Sequence, residues 1–205
     1  MPEYYFSHKD KLHSIVLGLE LLGPSLSALE LPFSLKTTLM LAQQMISRLE
    51  SLHRQGIMHC DIKPSNFLMK AKMVYIIDFG LASNIPKEEE YQTKFKGTYH
   101  YASHHSQAGL PLSPKDDLIS LGFVLVEFLK GKLPWSNTDH DEMLALKSDI
   151  KHLCEGLPEE FETYFKLVNS LEDGSVYREL KSMLKDLFYR EGYIYDLEFD
   201  WHSSH

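Results

Sequence analysis

The chain has 205 residues, 43% of them hydrophobic, which is enough for one sizeable core and too apolar for a disordered segment. A formal charge of -8 argues against the basic face on which phosphate-backbone recognition depends, so no nucleic-acid partner is expected. Two cysteines, Cys60 and Cys154, are too few and too far apart for a disulfide framework or a zinc site. No apolar run approaches the ~20 residues of a membrane span, so a soluble protein of cytoplasmic location is predicted.

In chain order, EYYF (3–6) and SIVLGL (14–19) read as two strands of a hairpin, followed by a break with a short helical turn over 23–33. From Ser34 to about Gln55, apolar residues recur every three or four positions through Leu35, Leu39, Ala42, Met45, Ile46, Leu49 and Leu52, and Gly56 stands where the helix should stop. NFLM (66–69) and VYIID (74–78) flank KAKM and predict a second small hairpin. Residues 80–113, with Gly, Pro, Ser and the acidic run Glu88 to Glu90, read mainly as loop. Pro114 opens PKDDLISLGFVLVEFLKG, whose stretch from Leu118 to Leu129 is nearly all apolar and should be buried on most sides. Helices over about 138–153, 158–171 and 175–190 and an aromatic tail ending at Trp201 complete a mainly α fold with small β hairpins.

The stretch HCDIKPSNFLM (59–69) crowds polar chemistry between the first long helix and the second hairpin. Asp61 can accept a proton, Lys63 can neutralise a phosphate, and Asn66 and Asp78 can hold a hard cation through oxygen. The hairpin would return Asp78 beside Asn66 although twelve residues separate them. These parts suit phosphoryl transfer, and the joint spacing His-x-Asp-x-Lys-Pro-x-Asn, hairpin, Asp-Phe-Gly is far more specific than any one piece.

On these residues the chain resembles the C-terminal lobe of a eukaryotic protein kinase, and specifically the casein kinase I family. ELLGPSL (20–26) resembles the hinge, FSLKTTLMLAQQMISRLESLH the long helix, KPSNFLM the catalytic loop and YIIDFGLA the metal-binding segment. GTYHYAS resembles the substrate loop and DDLISLGFVLVEFLKGKLPW the central buried helix, while LPEEFETYFKLVNSL and LFYREGYIYDLEFDW resemble the closing helices and tail. The resemblance implies a protein-kinase-like C-lobe using ATP and Mg2+, with Asp61 as catalytic base, Lys63 on the transferred phosphoryl group and Thr98 orienting both. It implies Asn66 and Asp78 as magnesium ligands, backbone groups of Glu20 and Leu22 on adenine, and Leu68 and Ile77 as the floor of the nucleotide pocket. Asp117 corresponds to a buried anchor of the catalytic loop. Lys63 and Thr98 stand where serine/threonine kinases have them, which implies a Ser or Thr acceptor on a protein substrate.

Several positions depart from the family pattern. No GxGxxG occurs in the sequence, and residues 1–19 correspond only to a remnant of the small lobe, with 20–26 as hinge and 27–205 as helical lobe of one truncated kinase domain. Losing one preorganised charge-stabilising group commonly costs about 10²- to 10³-fold in rate, so weak or no transfer is expected from the isolated chain. A protein partner or a second chain is expected to cover the open ATP cleft, and a pseudokinase acting as a binding module is the alternative reading. Cys60 replaces the arginine that pairs with a phosphorylated activation loop, and a half-buried filler is expected there rather than a reactive thiol. His100 replaces a family arginine, ASHHSQ departs from the family's Ala-Ser-Ile-Asn, and TDHDEM is acidic where the family is basic. The histidines His100, His104, His105, His202 and His205 are read as solvated rather than metal-binding.

Overall fold

The computed structural model describes residues 2–9, 15–86, 95–170 and 174–202. It is mainly α-helical, with short antiparallel strand pairs. Strands β1 (Tyr4–Lys9) and β2 (Ile15–Leu19) pair with Tyr4 opposite Leu19, and a short helical turn at Leu26–Ala28 leads on to α1 (Leu35–His53). Ser34 caps α1 by accepting a hydrogen bond from the Thr37 amide at 3.1 Å, which satisfies one of the free N–H groups of the first turn. The apolar spacing read from the sequence is the buried stripe: Leu39, Ala42, Met45, Ile46 and Leu49 are essentially inaccessible.

Beyond α1, the chain forms β3 (Ile57–Met58), a turn at Pro64–Asn66, and the hairpin β4 (Phe67–Lys70) and β5 (Met73–Ile76). Two polar residues of α1 fasten that hairpin. Gln44 donates to the Lys72 carbonyl at 3.1 Å and accepts from the Val74 amide at 2.8 Å, and Arg48 donates to the Val74 carbonyl at 2.9 Å. Lys70 pairs with Met73, so the turn is only Ala71–Lys72, tighter than the four-residue KAKM connection expected from sequence. Ala71 has φ 51, a left-handed conformation in which its Cβ is strained. Ala71→Gly is therefore expected to stabilise the fold by about 1 kcal/mol and raise Tm by roughly 2–4 °C in a thermal melt. An unchanged or lower Tm would show that this turn carries no strain.

The segment expected to be mainly loop contains β6 (Ser83–Asn84), which pairs with β3, and the short helix α2 (His104–Gln107), whose start is capped when Ser103 accepts from the Ser106 amide at 2.9 Å. The acidic run Glu88 to Glu90 lies outside the described residues. α3 (Pro114–Lys130) begins with Pro114 as expected, and Asp116 closes its first turn by accepting from the Ser113 amide at 2.8 Å.

The helix expected over 138–153 is two helices, α4 (His140–Ser148) and α5 (Ile150–Leu153). Asp149 breaks it: its backbone leaves the helical region, and its carboxylate caps α5 by accepting from the His152 amide at 3.0 Å. α6 (Glu159–Ser170) and α7 (Ser175–Arg190) follow.

The core lies where α1 packs on α3 and α7, and α3 packs on α6. α3 is buried along nearly its whole length, as its unbroken apolar run predicts. A Cβ at Gly122 would sit 2.7 Å from the Phe165 ring, so the absence of a side chain there allows the close approach of α3 to α6. The tail returns across the N-terminus of α1, with Phe199 fully buried, stacked on Trp201, and Trp201 in turn beside Phe33. Among the described residues, no helix is long and apolar enough to cross a membrane.

Candidate active site

The loop between β3 and β4 is held from below by a buried carboxylate. Asp117, 2% exposed at the start of α3, accepts from the His59 amide at 2.7 Å and the Cys60 amide at 2.9 Å. Its Oδ2 also meets His53 Nε2 at 2.8 Å, and His53 Nδ1 meets the Tyr177 hydroxyl at 2.5 Å, so α1, α3 and α7 converge on one polar point. Cys60 takes φ 65, and its two neighbours His59 and Asp61 are both buried. Burial, reinforced by the Asp117 charge, pushes the half-buried Cys60 thiol up to about 12, so it is an inert filler at neutral pH.

His59 organises the next step. Its Nε2 lies 2.8 Å from the Ile77 carbonyl and its Nδ1 accepts from the Asp61 amide at 3.3 Å, an arrangement that suits the neutral ring with its proton on Nε2. Phe79 meets the same ring edge-on at 5.2 Å. The imidazole thus ties the loop to the end of the hairpin.

Four of the expected residues are brought together by direct bonds. Thr98 donates to Asp61 Oδ1 at 2.7 Å and accepts from Lys63 Nζ at 3.0 Å, while Lys63 Nζ forms an ion pair with Asp61 Oδ2 at 2.7 Å. Asn66 donates its amide to the Asp61 carbonyl at 2.8 Å, with Asp61 Oδ2 at 3.3 Å. Thr98 reaches this cluster because Gly97, at φ 111, lets the chain pass against the Cys60 carbonyl, where a Cβ would stand 2.7 Å away. Any side chain at 97 would push Thr98 off Asp61.

Asp78 is adjacent rather than bonded to the four. The Ile77 amide donates to the Asn66 carbonyl at 3.0 Å, so Asp78 is the first residue past that rung. It is exposed, with φ 63, and its carboxylate accepts from the Gly80 amide at 3.3 Å. Among the described residues it forms no ion pair. With its amide nitrogen engaged on Asp61, Asn66 has its side-chain oxygen outside these bonds, and Asp78 presents an exposed carboxylate. That donor set fits a hard, oxygen-ligated cation such as magnesium.

Two of the expected nucleotide-binding residues, Leu68 and Ile77, share a half-buried face of the hairpin. Leu68 is paired with Tyr75, and the two-residue period of a strand puts Leu68, Tyr75 and Ile77 on one half-buried face. Tyr75 escaped the sequence reading, although its place two residues before Ile77 was the available signal. Segment 20–25 runs beside β4, with the Gly23 amide on the Met69 carbonyl at 2.7 Å and the Met69 amide on the Pro24 carbonyl at 3.0 Å. Among the described residues, neither the N–H nor the C=O of Leu22 has a backbone partner. The Glu20 side chain instead pairs with Lys70 and accepts from the Glu3 amide, two contacts that hold its carboxyl below the usual range.

The protein kinase domain family matches residues 5–191. The chain belongs to the protein kinase family. That match covers most of the chain, from β1 to the end of α7, so the β3–β4 loop, the 66–78 hairpin and Thr98 all fall within it. Members of this family generally transfer a phosphoryl group from ATP to proteins with the help of Mg2+.

Lys147 was not picked out by sequence reading. It lies on α4, is 3% exposed, and its ammonium donates to the Tyr99 carbonyl at 2.5 Å and the Ala102 carbonyl at 2.8 Å. A lysine in a polar helical register gives no sign of burial. Only the aromatic wall of Phe123 and Trp135, brought from other segments, encloses it.

Proposed function

We propose that this chain is a casein kinase I-like serine/threonine protein kinase domain in which Asp61 is the catalytic base. The observation that supports this reading best is the bonded set of Asp61, Lys63, Asn66 and Thr98. Thr98 and Lys63 occupy the two oxygens of Asp61 from fixed directions, which aims the carboxylate at an incoming hydroxyl. The Asp61 carboxylate accepts the proton of a substrate Ser or Thr as its oxygen attacks. Lys63 holds positive charge beside the phosphoryl group in transfer. Asn66 and Asp78 would hold Mg2+, which neutralises phosphate charge when bound. Backbone groups of Glu20 and Leu22 would meet adenine, over a floor of Leu68, Tyr75 and Ile77.

Binding of nucleotide reads the Asn66 and Asp78 positions directly, without depending on the rate of transfer. Nucleotide binding is therefore the cleaner test. The melting temperature is expected to rise with ATP and to rise further with ATP and magnesium, since a ligand bound only to the native state stabilises it. Asp78→Asn is expected to abolish the magnesium-dependent part and leave the remainder. A magnesium effect that survives Asp78→Asn would remove Asp78 from the site.

A second reading, a pseudokinase that serves as a binding module, draws on Leu21, 91% exposed, beside exposed Leu19 and Tyr4. In that reading a protein partner or second copy covers the cleft. The same titration separates the two, since a cleft plugged by protein shows no response to ATP.

A further inference from the structure

We propose that Lys147 is a positioning residue, whose ammonium group clamps the carbonyls of Tyr99 and Ala102 and so keeps Thr98 seated on Asp61. The inference rests on the kinase reading only for its consequence, that the 98–102 segment is the one a protein substrate meets. The clamp itself stands on geometry.

Thr98 opens a tight turn: its carbonyl accepts the amides of Tyr101 at 3.0 Å and Ala102 at 2.9 Å. Three other carbonyls of that turn face donors from elsewhere. Lys147 takes those of Tyr99 and Ala102, Trp135 Nε1 donates to that of His100 at 2.8 Å, and Gln107 adds a bond to that of Tyr99 at 2.7 Å. Lys147 and Gln107 both reach the two ends of the turn, Gln107 by a longer bond of 3.4 Å to the Ala102 carbonyl, and of these donors Lys147 alone carries charge. Its position 5.5 Å from the Phe123 centroid and 5.3 Å from that of Trp135 adds cation–π attraction from two fixed rings.

Among the described residues, no carboxylate pairs with Lys147. Glu127, on α3, is taken by the Tyr101 hydroxyl at 2.8 Å and lies 3.8 Å from His100 Nε2. His140, on α4 itself, meets Tyr99 edge-on, and His105, on α2, lies 3.7 Å from Asp116. A surface lysine would not be held this way: the ammonium is buried on backbone oxygens and aromatic faces alone. The resulting desolvation lowers its pKa to about 7, so the charge on the clamp changes within the physiological range. Full charge draws both carbonyls inward, whereas the neutral amine keeps weaker donors and loses the cation–π term.

The test is amide hydrogen exchange at Tyr101 and Ala102, read by NMR on the full chain. Lys147→Met keeps most of the apolar stem and removes the ammonium. Exchange at these two amides is expected to quicken about tenfold or more relative to the unmodified chain, with the amides in the middle of α3 unchanged. Equal rates at Tyr101 and Ala102 in both chains would overturn the proposal. Should Lys147→Met fail to fold, the unmodified chain decides: its Nζ signal is expected to titrate near 7, with the Tyr101 and Ala102 amide signals moving at the same midpoint. Amide signals indifferent to that titration would likewise overturn it. An unmodified chain with no nucleotide response would defeat the kinase reading and leave the exchange result standing.

Discussion

Asp117→Ala is expected to cost about 3–5 kcal/mol, lowering Tm by roughly 6–20 °C, because it strips a buried carboxylate from three partners at once. The His59 and Cys60 amides would be left buried without acceptors, at about 1–3 kcal/mol each, and His53 would lose its contact on Nε2. The damage reaches beyond stability. Cys60 holds φ 65, a conformation an L-residue adopts at a cost, and the bond from its amide to Asp117 is what fixes it there. Once that bond is lost, Cys60 can relax and rotate Asp61 away from Thr98. Asp117→Asn separates charge from shape, since an amide keeps one acceptor oxygen and sets an N–H group against an N–H group. It should cost nearly as much as alanine. A chemical-denaturation midpoint within error of the unmodified chain for either substitution would show that the loop is held by something other than this carboxylate.

The two long central helices were legible in the sequence because their cores rest on periodicity. α1 shows an apolar residue every three or four positions, and α3 is nearly all apolar from Leu118 to Leu129, so neither depends on what it packs against. The loop cluster was legible for a different reason: the spacing of 59–66 and of 78–80 carries the polar groups, and a hairpin is the simplest way to join them. Three features were hidden because periodicity does not record the contacts that decide them. β3 and β6 are two residues long, too short for any alternation to register, and their pairing depends on a return of the chain from residue 83. The break at Asp149 depends on a carboxylate choosing a local amide over the continuation of a helix, a choice helix periodicity cannot display. Gln44 and Arg48 are polar positions of α1, yet they bind the backbone of the β4–β5 hairpin and so help fix where Asn66 and Asp78 stand.

The tail supplies the second large effect. Phe199 is fully buried and stacked at 4.9 Å on Trp201, and its neighbour Asp200 accepts from the Ser34 amide and hydroxyl, both at 2.7 Å, and from the Thr37 hydroxyl at 2.8 Å. These last three bonds place a carboxylate at the positive end of α1, where its charge is favoured by the helix dipole. Two further links run from the tail: Asp196 pairs with Lys36 at 2.7 Å, and Glu198 pairs with Lys72 in the turn of the β4–β5 hairpin. The tail therefore ties the start of α1 to the hairpin that carries Asn66 and Asp78. Among the described residues, Phe199 is the one fully buried side chain of that strap, and Phe199→Ala is expected to cost about 3–5 kcal/mol. Because the polar links are exposed and individually worth little, they should not hold the strap once its apolar anchor is gone. The indole of Trp201 would then leave Phe33 for water, giving a red shift in its fluorescence at temperatures where circular dichroism still reports native helix content. An unshifted emission maximum in folded Phe199→Ala would show that Asp200 and its partners suffice to keep the tail in place.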